Sequence, residues 1–143
     1  MGTPVALTVV SAAPAYAKSD EVYTSWRNNL AAGGYDVVSF HTGSPSEGSA
    51  KISTVWQNAQ WQFSTRDNLE SFLADPQKYA PAYGGYCAWA LANDKLAKGS
   101  PTHWTIKDGR LYLNYNAKIK TRWLVDTDNF IAKGDENWPK ILE

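Results

Sequence analysis

Apolar residues in this chain recur now at helical spacing and now at strand spacing. In "SDEVYTSWRNNLAAGGYD", Val22, Trp26 and Leu30 fall four apart between Ser19, a capping residue type, and the stop Gly33-Gly34, which predicts a short amphipathic helix. "YDVVSFHTG" reads as a short β-rich run and "SPSEGSA" as a polar loop. Alternation at Ile52, Thr54 and Trp56, and again at Trp61 and Phe63, flanks Asn58-Ala59-Gln60 and predicts a β-hairpin. "STRDNLESFLADPQKYA" predicts a helix capped by Ser64 or Thr65, burying Leu69, Phe72 and Leu73 and ending at Asp75-Pro76. "GGYCAWALAND" predicts another, opened by Gly84-Gly85. In "HWTIKDGRLYLNYN" two β-rich runs flank Asp108-Gly109, a pair that favours a type I′ hairpin turn. Asn116 caps "AKIKTRWLVD", and "DNFIAKGDENWPKIL" continues as a further helical segment. No internal repeat, linker or low-complexity segment stands out between residues 19 and 143. The fold class is therefore α+β, a small single domain with two β-hairpins and several short helices.

Composition narrows the function. A chain of 143 residues, 43% hydrophobic and 20% charged, has the size and apolar content of one domain. Fourteen basic residues balance fourteen acidic ones, so no net field draws it to nucleic acid or an anionic membrane. No apolar run reaches the roughly 18 residues of a transmembrane helix. The first 17 residues, "MGTPVALTVVSAAPAYA", combine the apolar stretch Val5–Val10 with Ala15-Tyr16-Ala17, the small-x-small pattern of a cleavage site. They read as a truncated signal-peptide remnant, with the folded domain at 18–143 and a periplasmic or secreted location.

Candidate chemistry centres on Cys87, the chain's only cysteine. One thiol excludes an internal disulfide. Near a predicted helix start, backbone N–H groups favour a thiolate, whereas cysteine also packs well as a small buried residue. His41 and His103 lie at predicted strand ends, and with Cys87 they would supply the His₂Cys set that suits copper or zinc. Asp36, Asp67, Asp75 and Asp94 sit at turns and helix starts and read as caps. Lys118, Lys120 and Arg122 do not share a helix face, and no phosphate-loop, dinucleotide or serine-elbow motif is present.

The stretches "YDVVSF", "WQFSTRDNLESFLADPQKYAPAYGGYCAWA", "WTIKDGRLYLNYN" and "FIAKGDENWPKI", spanning about Gly34 to Pro139, resemble the exported, stand-alone branch of the YHS-domain family. The resemblance implies a YHS-like α+β fold. The cysteines that hold metal elsewhere in that family fall here at Ser39, Ser64 and Asn68, so the usual metal site does not carry over. Some members of the branch carry selenocysteine in the stretch matching Tyr83 to Ala88, which implies a functional role for Cys87. Three readings follow. The first is a periplasmic metal-associated protein handling a transition metal such as copper through Cys87 with His41 or His103, alongside a metal-handling partner protein. The second is a thiol redox enzyme in which Cys87 is catalytic and an external thiol or partner resolves it. The third is a non-catalytic ligand- or protein-binding module whose aromatic residues line a groove.

Overall fold

The computed structural model describes residues 19–143; the signal-peptide expectation for residues 1–17 lies outside them. The fold is α+β. After an irregular segment the elements are a 3₁₀ turn at Ala32–Gly34, α1 (Val37–Phe40), β1 (Ser49–Trp56), β2 (Ala59–Phe63), α2 (Arg66–Ala74) and α3 (Pro76–Tyr79). A second 3₁₀ turn at Ala82–Gly85 leads into α4 (Ala88–Ala92), β3 (Ser100–Lys107), β4 (Arg110–Asn114), α5 (Ala117–Val125), α6 (Thr127–Asn137) and a last 3₁₀ turn at Lys140–Leu142. Strands β1 and β2 form one antiparallel hairpin, and β3 and β4 another.

The expected absence of a repeat is overturned: the chain is built twice on one plan, each position matching the one 51 residues further on. Strand β1 maps onto β3, β2 onto β4 and α2 onto α5 at that offset. Both hairpins break register at the same place, between Ser49 and Ser53 and between Ser100 and Trp104. The backbone makes the strongest case. All twelve residues with positive φ among those described form six pairs at this offset: Ala32 with Tyr83, Gly33 with Gly84, Gly34 with Gly85, Gly43 with Asp94, Gln57 with Asp108 and Asn58 with Gly109. Non-glycine residues rarely adopt that conformation, so its recurrence in register marks one backbone path used twice. Isolated bridges repeat too, Tyr35 with Glu47 and Tyr86 with Lys98.

Each copy anchors its nine-residue helix by one aromatic ring, Phe72 in α2 and Trp123 in α5, both fully buried. Two hydrophobic clusters result. Trp61, Phe63 and Phe72 of the first copy pack with Leu111 and Leu113, whereas Tyr83, Leu91 and Trp123 of the second pack with Tyr112. Side chains alternate across a strand, so β4 serves one core with each face.

Four local expectations are corrected. Residues 19–30 form no helix: Val22 is buried while Trp26, four residues on, is 89% exposed. Their backbone pairs elsewhere, Tyr23 N–H donating to the Gly84 carbonyl and Gln60 N–H to Asn29, while Ser25 and Asn28 accept from Arg27 and Leu30 N–H in local turns that compete with a helix. "YDVVSF" is not a strand, because the Asp36 carboxylate accepts from Val38 and Ser39 N–H and starts α1. The first hairpin turns at Gln57-Asn58 rather than across Asn58-Ala59-Gln60, with φ of 49° and 61°. In α2, capped as expected by Thr65, Phe72 is buried but Leu73 is exposed. The Asp108-Gly109 hairpin and the Asn116 cap of α5 form as expected.

Candidate functional site

The duplicated plan places Asp36 and Cys87 at equivalent positions, each directly after Gly-Gly-Tyr and at the N-cap of a short helix, where Asp36 makes side-chain capping bonds and Cys87 makes none. Their backbones are held alike, Asp36 N–H donating to the Ser46 carbonyl at 2.9 Å and Cys87 N–H to the Ala97 carbonyl at 2.8 Å.

Asp36 has no solvent exposure. Its Oδ1 accepts from the N–H groups of Val38 (3.0 Å) and Ser39 (3.2 Å). Its Oδ2 accepts from Ser64 N–H (2.9 Å), Ser64 Oγ (2.7 Å) and Asn68 Nδ2 (2.8 Å). A buried carboxylate is stable only when its lone pairs are occupied, and five donors occupy them. Ser39, Ser64 and Asn68, the positions where the family resemblance puts cysteines, thus converge on one carboxylate. The hub ties α1 to the start of α2.

Cys87 is 1% exposed. Burial pushes the thiol up from its ordinary range; the N–H groups of Ala90, Tyr115 and Trp89 face it and offset only part of that effect. These donors match Ser39, Ser64 and Val38 at the 51-residue offset, but Trp89 N–H is bonded to Asn114 rather than to the side chain at position 87. The thiol donates to Asn114 Oδ1 at 3.5 Å, and that oxygen also accepts from Trp89 N–H at 3.0 Å. Asn114 is fully buried and its Nδ2 has no partner. Asn114 replaces Phe63 of the first copy.

The histidines do not complete a metal set with this thiol. His41 ends α1, its ring meeting Tyr79 edge-on at 5.3 Å, and burial holds it below its ordinary value while a hydrogen bond with the Tyr79 backbone works against that and Lys78 adds to it. His103 is half-buried on β3. Among the described residues no three His, Cys, Asp or Glu side chains gather as a metal-ligating group. No helix among them is long and apolar enough to cross a membrane.

A cleft of about 320 Å³ opens where the two copies meet. The first copy contributes Trp56, Gln57, Trp61 and Gln77; the second contributes Tyr83 and Arg110; Glu21 and Trp138 close it from the chain's two flanking arms. Gly84 brings the first arm in, since its Cα lies so near Glu21 that a Cβ would meet the Glu21 carbonyl oxygen at 1.7 Å. Arg110 is already engaged, paired with Asp135 at 3.3 Å and lying over the Tyr83 and Tyr112 rings. Tyr83 donates to the same Asp135 carboxylate at 2.9 Å; burial, then that bond, keeps the phenol far above its ordinary range. Sequence spacing names none of these cleft residues, although the abundance of aromatic rings is the signal that a groove exists.

The chain matches no protein family, no curated protein and no solved structure.

Proposed function

We propose that this protein is a non-catalytic binding module that holds a small molecule in the cleft between its two copies. The observation that carries the reading is the cleft itself. Its volume of about 320 Å³ lies at the lower end of the roughly 300–1,000 Å³ usual for small-ligand sites, and such sites favour boundaries between structural units. Its lining selects an uncharged ligand. An anion would compete with Asp135 for Arg110 and face Glu21 across the cleft, and a cation would meet Arg110. Trp56 and Trp138 are half-buried and give flat apolar surface, while Gln57 and Gln77 each both donate and accept. A saccharide of one or two rings, with an apolar face and a rim of hydroxyls, has the matching chemistry.

Membership of the exported YHS branch, and a periplasmic or secreted location, are part of this proposal and rest on the sequence resemblance. The metal-handling and thiol-redox readings both need an accessible Cys87, and burial weighs against them. Tryptophan fluorescence and calorimetric titration with glucose, N-acetylglucosamine, maltose and cellobiose test the proposal, with choline and indole-3-acetate as charged controls. Saturable binding of a sugar, weakened at least tenfold by Gln77→Ala and unchanged by Cys87→Ser, is the expected result. Binding of a charged control alone overturns the ligand class, and binding that survives both Gln77→Ala and Trp56→Ala overturns the cleft as its site.

A further inference from the structure

We infer that the second core encloses an internal water site, built by Asn114, Trp123 and Thr105, that the first core does not have. Among the described residues, Asn114 Nδ2, Trp123 Nε1 and Thr105 Oγ1 are buried polar atoms with no partner in the protein, and Asn114 and Trp123 have no solvent exposure at all. Buried polar groups are nearly always hydrogen-bonded, to protein or to ordered water, because an unmet donor forfeits the bonds it made in solvent.

The three groups share one face of the second copy. Thr105 stands opposite Tyr112 in the β3–β4 register and Asn114 follows Tyr112 by two residues, so the pleat turns all three side chains to the same side of the hairpin. Trp123 of α5 packs on Tyr112 from that side, with ring centroids 5.1 Å apart. The duplication brings Asn114 and Trp123 together. They occupy the positions of Phe63 and Phe72, whose rings meet at 5.1 Å, and the adjoining pair keeps its spacing, Trp61 and Phe72 lying at 5.0 Å. The first copy fills this place with two rings that carry no polar atom. In the second, the Asn114 amide is held from turning end for end, since its Oδ1 accepts from Trp89 N–H at 3.0 Å, and Nδ2 is left without a partner.

Two N–H groups and a hydroxyl call for a small neutral ligand. A cation would face N–H hydrogens, and a buried anion costs more than a neutral acceptor. One water accepts from Asn114 Nδ2 and Trp123 Nε1 and donates to Thr105 Oγ1, making the three bonds usual for internal water. Asparagine is smaller than phenylalanine by more than tryptophan exceeds it, a difference on the scale of the roughly 30 Å³ that a water takes up in the liquid.

Oxygen-17 magnetic relaxation dispersion of the full chain counts waters held longer than the tumbling time, and water-selective NOE spectra show which N–H groups touch them. The Trp123 indole N–H is expected to give a direct cross-peak to a long-lived water. Asn114→Phe combined with Trp123→Phe, which restores the first copy's pair, is expected to lower the count by one, and Asn114→Leu alone to do the same. An unchanged count in a folded variant, or an indole proton with no contact to water, overturns the proposal. Should neither variant fold, the wild-type cross-peak alone decides.

Discussion

At the scale of single residues, two buried groups set clear expectations. Asp36→Asn keeps the shape of the side chain but turns an acceptor toward a donor, so Ser64 or Asn68 loses its partner. Loss of a buried charged acceptor predicts destabilisation of about 2–4 kcal/mol, read from urea midpoints; unchanged stability would show that the hub does not hold α1 to α2. His41 gives a pH dependence whose sign follows from burial. The folded state resists protonation below the ordinary value of 6.5 while the unfolded chain takes up the proton there. Stability is therefore full above that pH and falls as pH drops from 6.5 toward the lowered folded value. His41→Phe should flatten the slope in that window, measured as unfolding free energy at successive pH values. Of the four aspartates that the sequence marks as caps, Asp36 and Asp75 cap helices, whereas Asp67 lies in the first turn of a helix capped by Thr65 and Asp94 takes a positive φ just past α4. Sequence reading did not find that Asp36 reaches Ser64 and Asn68, because those bonds span 28 and 32 residues.

Elements whose signal is local were legible, and those decided by distant partners were not. Asp108-Gly109 and Asn116 fix their hairpin and helix with chemistry contained in a few residues. The segment 19–30 has helical spacing yet lies against Gly84 and Gln60, contacts that no local pattern reports. The duplication was hidden for a related reason: the copies reach the same region of backbone conformation with different residues, Ala32 against Tyr83 and Gln57-Asn58 against Asp108-Gly109, sharing little beyond Gly-Gly-Tyr and Gly-Ser. Glycines separate backbone strain from crowding. Gly109 has φ of 78° with open space around it, so Gly109→Val should cost roughly 1–2 kcal/mol through strain alone. Gly84→Ala adds a collision with the Glu21 backbone and should cost at least about 3 kcal/mol. Denaturant midpoints check the order; equal losses would mean that the first arm yields freely.

For the whole molecule, β4 decides cooperativity. Leu111 and Leu113 complete the first core and Tyr112 the second, so neither core is whole without the strand they share. One transition is expected, with far-ultraviolet and tryptophan signals coincident. Leu111→Ala should lower stability by about 2–5 kcal/mol without splitting the transition; separate transitions would show that the copies fold independently. The cleft was the least legible feature, since its walls come from both copies and from both flanking arms, and only the assembled fold brings them together. That meeting of arms has a consequence for chain connectivity. Glu21 and Trp138 line one cleft, and the Tyr86 ring touches Trp138 while its hydroxyl donates to the Asp20 carbonyl, so the two arms run side by side. The position of the chain ends is then dispensable. A short glycine-serine bridge from Glu143 to Ser19, with new ends opened at the uncrowded Gly43, should yield a circular permutant that retains the native circular dichroism spectrum.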